Sequence, residues 1–254
     1  MTLRELLQLL RWSILNDRSD RVVGTSDYLW EDETLVTFIN EAQRRLATQG
    51  LVLRDATTDE VTKITLVAGQ SAYVLHESII AVVSAKNSTQ DADLNRVGHS
   101  LLAAYRAPTD NWIDPSGFTS LPAGATLAYS TDEGLQASDT DSLSQIALRV
   151  HPVPSTAQAG NVIRLRVVRK PIEKLTINNL SAEPEVPEDH HVEMLDWAAY
   201  MALRIVDNDA GDPRRALEFR ASFEAHVKEA RTNVLRKLFT PVDWGFGRGG
   251  YSWS

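Results

Sequence analysis

Hydrophobic residues recur at helical spacing near the beginning of the chain. Residues 2–15 open with Thr2 and Glu5 at the spacing of a capping box, which predicts a helix start. Residues 30–50 predict a second helix, with acidic residues in the first turn, where they suit the helix dipole, and Gly50 as its stop. Each helix therefore has one predicted buried face. The two faces comprise Leu3, Leu6, Leu7, Leu10 and Ile14, and Leu35, Phe38, Ile39, Ala42 and Leu46.

The middle of the chain changes to the alternation typical of strands. Residues 61–75 predict a hairpin around a turn at residues 68–70, and residues 79–87 predict another strand. Residues 145–171 predict a further pair of strands around a Pro/Ser/Gly turn. Residues 87–144 are predicted to be rich in loops. In the last predicted strand, apolar Ile163, Leu165 and Val167 alternate with basic Arg164, Arg166 and Arg169.

Helical spacing returns in the last third of the chain. Residues 187–209 predict one helix, and residues 212–239 predict another that Asp212 caps and Pro213 opens. Within the loop-rich region, residues 101–107 fit a short helix and a strand equally well. The predicted buried face of the last helix comprises Leu217, Phe223, Val227, Ala230, Val234 and Leu238.

These elements predict an α+β fold in which the N- and C-terminal segments form a helical bundle around a β-rich insertion, followed by an extended C-terminal tail. The predicted domains are residues 1–56 and 179–238 for the α core, 57–178 for the insertion and 239–254 for a docking tail. The predicted core comprises Leu35, Phe38, Ile39, Met194, Trp197, Met201 and Phe223.

Composition narrows the classes of function. The 254 residues carry a formal net charge of −8, so the chain is not expected to wrap nucleic acid. The chain has no cysteine, which excludes disulfides, thiolate zinc sites and cysteine nucleophiles. No apolar run approaches the length of a membrane span, and no signal peptide is expected.

Two adjacent histidines pose the main chemical question. His190 and His191 lie among carboxylates where an apolar run begins, which allows a metal-dependent hydrolase that uses both rings and Glu193. Neighbouring residues point about 100° apart on a helix, however, so the two rings cannot share one face. We therefore favour an ordinary helix start with both histidines near the surface of its first turn, and we expect His226 to stand alone.

Aromatic residues crowd the end of the chain. Such a segment cannot bury its rings alone, so we expect it to dock on another subunit or on a partner, with the basic end of the last helix beside it. The docking residues would be Arg236, Lys237, Phe239, Trp244, Phe246, Tyr251 and Trp253. The basic residues of the last helix leave a nucleic-acid-binding regulator as a further alternative. Residues 183–212 hold nine acidic residues against one basic residue, Arg204, which suggests an assembly with distinct faces.

The order of several short motifs resembles a known family. Residues 30–47 read W-x-D/E-x-x-L-x-x-x-I-N-E-A-Q-R-x-L-A, and residues 64–75 read I-T-L-V-A-G-Q-S-A-Y-x-L. V-H-P-V-P follows at residues 150–154, and E-P-E-V-P-E-x-H-H-x-x-M-x-D-W-A-x-Y-x-A at residues 183–202. This order is similar to that of the head-to-tail adaptor, or connector, proteins of tailed bacteriophages.

The resemblance implies a structural role without catalytic residues or cofactors. It implies an α-helical core made by both chain ends, a β-rich insertion, and a dodecameric ring of this chain under the portal. The expected partners are the portal protein, a tail or nozzle protein and further copies of the chain, with no membrane. Genomic DNA would pass through the lumen without specific binding. The expected location is the virion, assembled in the cytoplasm of the bacterial host.

Overall fold

The computed structural model describes residues 1–17, 28–97, 126, 128–133, 146–205 and 212–238. The chain divides into two compact units, each with helices or strands of its own. The first unit comprises residues 1–52, 176–184 and 188–254, and the second comprises residues 53–175 and 185–187. The units therefore divide at 52/53 and 175/176, and the boundaries predicted from the sequence were 56/57 and 178/179. The fold is α+β, with helices and a sheet on different segments.

The described helices are α1 (Leu3–Leu9), α2 (Asp32–Gly50), α3 (Asp59–Thr62), α4 (His191–Leu203) and α5 (Pro213–Leu238). The described strands are β1 (Arg54–Asp55), β2 (Lys63–Thr65), β3 (Ala72–Val74), β4 (Ile79–Asn87), β5 (Ala92–Arg96), β6 (Ala128–Glu133), β7 (Ile146–His151) and β8 (Val162–Arg169). Of these helices, none is both long enough and apolar enough to cross a membrane.

The first helix begins as predicted and then changes its winding. The Thr2 hydroxyl accepts from the Glu5 amide while the Glu5 carboxylate accepts from the Thr2 amide, so the capping box is confirmed. After α1, Leu10–Leu15 continues as a π-helix. The wider turn changes which residues face inward. Arg11 and Leu15 are buried, whereas Ile14 is only half-buried. The predicted stripe is thus wrong at its last position.

Buried Arg11 joins the π-helix to the start of α2. Its guanidinium donates to Asp17 and Asp32, each at 2.6 Å, and to the carbonyl of Trp30 at 2.6 Å. The same group lies over the ring of Tyr28, 4.1 Å from the ring centroid. A buried cation needs partners of this kind to offset its lost hydration, and Arg11 has two carboxylates. This cluster was not predicted from the sequence.

Helix ends agree in part with their predicted signals. Asp212 accepts at 3.1 Å from the amides of Arg214 and Arg215, which confirms the cap of α5. Gly50, in contrast, is still helical, and the left-handed residue that ends α2 is Leu51, at φ 56°. A Cβ added at Gly50 would lie 3.3 Å from Val52 Cγ1 and 3.7 Å from Ala230 Cβ. Gly50 therefore serves close packing rather than the turn.

Trp197 lies where α2, α4 and α5 pack against one another. Its ring is 5% exposed and lies 5.2 Å from the ring of Phe223 on α5 and 4.9 Å from that of Tyr200. Arg45 of α2 places its guanidinium 4.0 Å from the Trp197 ring centroid, a cation–π distance. Residues from opposite ends of the chain thus share one core.

The predicted core residues differ in burial. Leu35, Ile39, Met194, Trp197 and Phe223 are buried, whereas Phe38 and Met201 are only half-buried. On α5 the prediction is wrong at Leu217, which is 60% exposed, and Ala216 is buried in its place. The inward face of the first turns is therefore rotated by one residue from the predicted stripe.

The strands of the second unit form one sheet in the order β1-β8-β4-β5-β6-β7-β3, and β2 also pairs with β8. The β5–β6 pair is parallel and the other pairs are antiparallel. Buried side chains from β4 to β8 and from the segments beside them make one hydrophobic core. Its largest fully buried members are Tyr129, Leu66, Leu148, Ile163 and Leu165.

Both predicted strand pairs are wrong in their partners. β2 pairs with β8 and β3 pairs with β7, so residues 61–75 form no hairpin. β7 and β8 likewise pair with other strands rather than with each other. Alternation marks a segment as a strand, but the pairing depends on distant segments. The turn near Gly69 is instead held by the Tyr73 hydroxyl, which accepts from the Val67 amide at 2.9 Å.

The region predicted to be rich in loops contains two strands of the sheet. β5 pairs with β4, and β6 pairs with β5 and β7. β5 carries one buried apolar residue, Leu94, between charged and polar neighbours, so the apolar–polar alternation that would predict a strand is weak. Residues 101–107 lie outside the described residues.

A buried ion-pair network ties three segments of the second unit together. β8 alternates as predicted through Leu165 and Val167, but Arg169 is also buried and donates to Asp55 at 2.7 Å. Arg169 also bonds to Glu185, whose carboxylate accepts from the amides of Ile172 and Glu173 at 2.6 and 2.7 Å. These bonds explain why residues 185–187 belong to this unit.

Hydrogen bonds set the ionisation of Asp55. Burial by itself raises the pKa of this carboxyl, but hydrogen bonds from Thr58, Thr57 and Arg169 outweigh burial and hold its pKa well below the ordinary value of 3.8. Because the folded pKa is lowered, the carboxylate contributes stability that is fully present above the ordinary pKa. That contribution is lost as the pH falls through the folded pKa.

We expect Trp197→Ala to destabilise the first unit by about 3–5 kcal/mol, because truncating a buried Trp leaves a cavity among three helices. Chemical denaturation followed by helical circular dichroism measures the loss. Trp12→Ala is the matched control, since Trp12 is 53% exposed. Equal midpoints for the two variants would contradict the packing role of Trp197.

We expect Arg169→Met to destabilise the second unit by about 3–5 kcal/mol, because Asp55 would remain buried without its cation. Lys86→Met is the control within this unit, since the Lys86–Asp91 ion pair is exposed. Denaturation at neutral pH compares the two. A loss no larger than that of Lys86→Met would show that the amides of Thr57 and Thr58 alone satisfy Asp55.

Candidate functional site

The two adjacent histidines lie on a junction between a short turn and α4. Glu188–His190 forms a 3₁₀ turn, and α4 starts directly at His191. The tight turn rotates consecutive side chains away from each other, so the two rings meet different partners. His190 faces α5, and His191 faces the start of the chain.

His190 pairs with His226 of α5. Nδ1 of His190 lies 2.9 Å from Nε2 of His226, a hydrogen-bond distance, and the ring centroids are 5.1 Å apart in an edge-to-face arrangement. Burial, and then the neighbouring His226, lower the pKa of His190 below its ordinary value of 6.5. The expectation that His226 stands alone is therefore wrong. Its partner was 36 residues away, and no local spacing pointed to it.

His191 is buried rather than at the surface, with 2% exposure. Its Nδ1 lies 3.1 Å from the amino nitrogen of Met1, which also lies 3.3 Å from Glu188. The expectation of a superficial first turn is thus wrong for His191, and His190 is only partly exposed. Replacing both residues would remove the contact between His190 and His226 and the contact between His191 and the Met1 amino group.

Carboxylates surround the histidine pair without forming a ligand set. Glu193 Oε1 lies 4.0 Å from His226 Nδ1, and Asp196 accepts from the Ser222 hydroxyl at 2.6 Å. Burial raises the pKa of Asp196, and the bond from Ser222 opposes that effect. Among the residues that the structure describes, no group of three or more His, Asp or Glu side chains could hold a metal ion. The geometry brings His190 and Glu193 near His226, but it does not bring His191 to the same point.

The described acidic residues between 183 and 205 are not all exposed at the surface. Glu185 is paired with Arg169, and Asp196 is half-buried against Ser222. Arg204, the basic residue of this segment, lies 5.7 Å from the ring of Tyr200. Charge counted along the sequence therefore overstates the charge presented at the surface.

The proposed docking residues fall into two groups. Arg236 and Lys237 are exposed in the last turn of α5, where cations suit the negative end of the helix dipole. The aromatic residues Phe239, Trp244, Phe246, Tyr251 and Trp253 lie outside the described residues. Earlier on α5, Arg220 bonds to Glu224 at 2.7 Å on the surface, and Arg215 donates to the carbonyl of Ile14.

Comparison with known proteins identifies the family of this chain. A search of curated proteins gave no match. The family model described as SU10 adaptor protein matches residues 1–244, which include both helical ends and the sheet-bearing segment. Because this match spans nearly the whole chain, the chain belongs to the SU10 adaptor protein family, a family of phage structural adaptor proteins.

Proposed function

We propose that this protein is a head-to-tail adaptor of a tailed bacteriophage, a virion component that joins the portal of the head to the tail. The single observation that carries the proposal is the family match over residues 1–244. Copies of the chain would form a closed, dodecameric ring. A structural ring depends on contacts between subunits rather than on catalysis. In a cyclic assembly each pair of neighbouring subunits makes the same contact.

The helical unit is the part proposed to form the ring. Helices from both chain ends pack together through α2, α4 and α5, which supports a helical bundle formed by the N- and C-terminal segments. Exposed apolar side chains on this unit, Trp12, Val192 and Leu217, are candidates for contacts between copies, because single exposed apolar residues become favourable when a partner covers them.

The end of α5 and the residues after it are the part proposed to meet the portal. Arg236 and Lys237 would face an acidic partner surface, and the aromatic residues of 239–254 would fill pockets that the partner supplies. The family match ends at residue 244, so Phe246, Tyr251 and Trp253 lie beyond it. We assign these three residues to contacts specific to this phage's own partner.

The lumen of the ring is proposed to let DNA slide. The chain carries a net charge of −8, and like charge repels phosphates instead of holding them. Assembly would take place in the host cytoplasm, and a tail or nozzle protein would attach to the opposite face of the ring.

Electron microscopy of the purified protein mixed with its portal tests the role. A ring of density seated on the portal, absent without the added protein, is the expected result. No binding to portal-bearing heads would overturn the adaptor role. Hydrolysis of a phosphate ester or a peptide that depends on His190 would support the hydrolase alternative. A shift of DNA in a gel at low salt would support the nucleic-acid-binding regulator.

We expect deletion of residues 240–254 to leave the melting temperature nearly unchanged and to abolish attachment to the portal. The deleted segment holds most of the aromatic anchors but no described element of either unit. Co-sedimentation with DNA-filled, tailless heads measures attachment.

Two variants separate the causes of that loss. Full-length protein with Trp244, Phe246, Tyr251 and Trp253 all replaced by Ser keeps the length and removes the rings. Arg236→Gln with Lys237→Gln tests the charges, against Lys228→Gln with Arg231→Gln on an exposed part of the same helix. Normal co-sedimentation of the truncated protein would defeat the docking role of the tail.

A further inference from the structure

The contact between His190 and His226 can exist only in certain protonation states. A hydrogen bond between two imidazole nitrogens needs one N–H and one lone pair. The 2.9 Å separation of His190 Nδ1 and His226 Nε2 therefore requires that at least one of these nitrogens carries no proton. The contact joins the 3₁₀ turn before α4 to the middle of α5. The helices α4 and α5 pack closely against each other.

One proton can be added to the pair without breaking the contact. If His226 is charged, its Nε2–H donates to the lone pair on His190 Nδ1, and its Nδ1–H points toward Glu193 Oε1, 4.0 Å away. A charge-assisted bond of this kind is stronger than a neutral one. The first proton therefore strengthens the contact.

A second proton removes the contact. With both rings charged, both nitrogens are donors, no acceptor remains between them, and two cations face each other at hydrogen-bond distance. Burial of His190 opposes this second proton, and the pKa of His190 is lowered accordingly.

The groups that face the pair come from every neighbouring segment. On the turn and on α4 they are Asp189, His191, Glu193 and Asp196; on α5, Ser222 is bonded to Asp196. From the start of the chain the Met1 amino group contacts His191, and from α2 the Arg45 guanidinium lies over Trp197, two turns along α4. The nearest carboxylates, Asp189 and Glu193, favour protonation of His190, whereas His226 and His191 oppose it.

We propose that His190 and His226 form an acid-sensitive latch between α4 and α5, which is closed with no or one shared proton and opens when both rings are charged. Opening would loosen the start of α4 against α5 while the sheet-bearing unit stays folded. This inference stands independently of the head-to-tail role.

The direction of the pH effect follows from His190. Its folded pKa is lowered, so the unfolded chain binds more protons in the window between the folded pKa and the ordinary value of 6.5. The contribution of His190 to stability is complete above the ordinary value and falls as the pH drops through that window. The contact itself opens where both rings carry a proton, below the folded pKa of His190. Asp196 acts in the opposite direction, because its pKa is raised and its burial costs less when it is protonated.

The test replaces each ring by a neutral amide that keeps the bonding atom. His190→Asn places an amide near Nδ1, and His226→Gln places an amide near Nε2, so the contact can form but cannot gain a proton. His76→Asn is the control, because His76 Nδ1 bonds Ser78 at 2.8 Å within the other unit.

Hydrogen exchange of residues 188–196 and 220–229 is measured between about pH 7.5 and pH 5.5, corrected for the intrinsic rate. The natural protein and His76→Asn should lose protection in these segments at the acidic end, while residues 79–87 stay protected. His190→Asn and the double variant with His226→Gln should lose much less. The melting temperatures should fall at acidic pH in the same variants that lose protection. The expected fall is roughly 3–5 °C for each unit by which the pKa of His190 differs between the folded and the unfolded chain.

Equal acid loss in the natural protein and in His190→Asn would overturn the latch. So would an acid loss spread evenly over residues 79–87, since that result indicates global unfolding. If His190→Asn already lacks protection at neutral pH, the single variant His226→Gln decides, with acid-independent protection supporting the latch and unchanged acid loss refuting it.

Discussion

The packing of Arg45, Trp197 and Phe223 is the contact on which the helical unit depends. Arg45 lies on α2 near the start of the chain, whereas Trp197 and Phe223 lie on α4 and α5 near its end. A large aromatic ring buried against a guanidinium and a second ring contributes both apolar burial and a cation–π attraction. Because these partners are separated by the whole sheet-bearing segment, the helical unit can form only when both ends of the chain meet.

The second unit follows a different constraint, the burial of charge beside an apolar strand. β8 is central to its half of the sheet, with β1 and β2 on one side and β4 on the other. Its last residue, Arg169, is buried and pairs with buried Asp55 and half-buried Glu185, so segments far apart in sequence converge on one guanidinium. Removing one partner of such a network leaves an uncompensated charge, which makes the network specify where these segments lie.

The chemistry of the described residues suits a structural protein. The histidines that first suggested a site are used in contacts between helices and with the start of the chain. Membership of the SU10 adaptor protein family makes the chain a phage structural adaptor protein. The acid sensitivity proposed for the His190–His226 contact would then modulate packing within the subunit.

The sequence by itself determined the kind and order of most elements, but not β5 and β6, which lie in the region predicted to be rich in loops, nor the π-helix after α1. The capping box at Thr2, the cap at Asp212, the strand at residues 79–87 and the inward face of β8 were all readable, because each depends on residues a few positions apart. Tertiary structure alone decided which strands pair, that Arg11 and Arg169 are buried, and that His190 meets His226. Those outcomes depend on partners up to 114 residues away, and the periodic pattern of a single segment does not identify its partner. The π-helical turn after α1 also changed which residues face inward, and its buried Arg11 pairs with Asp17.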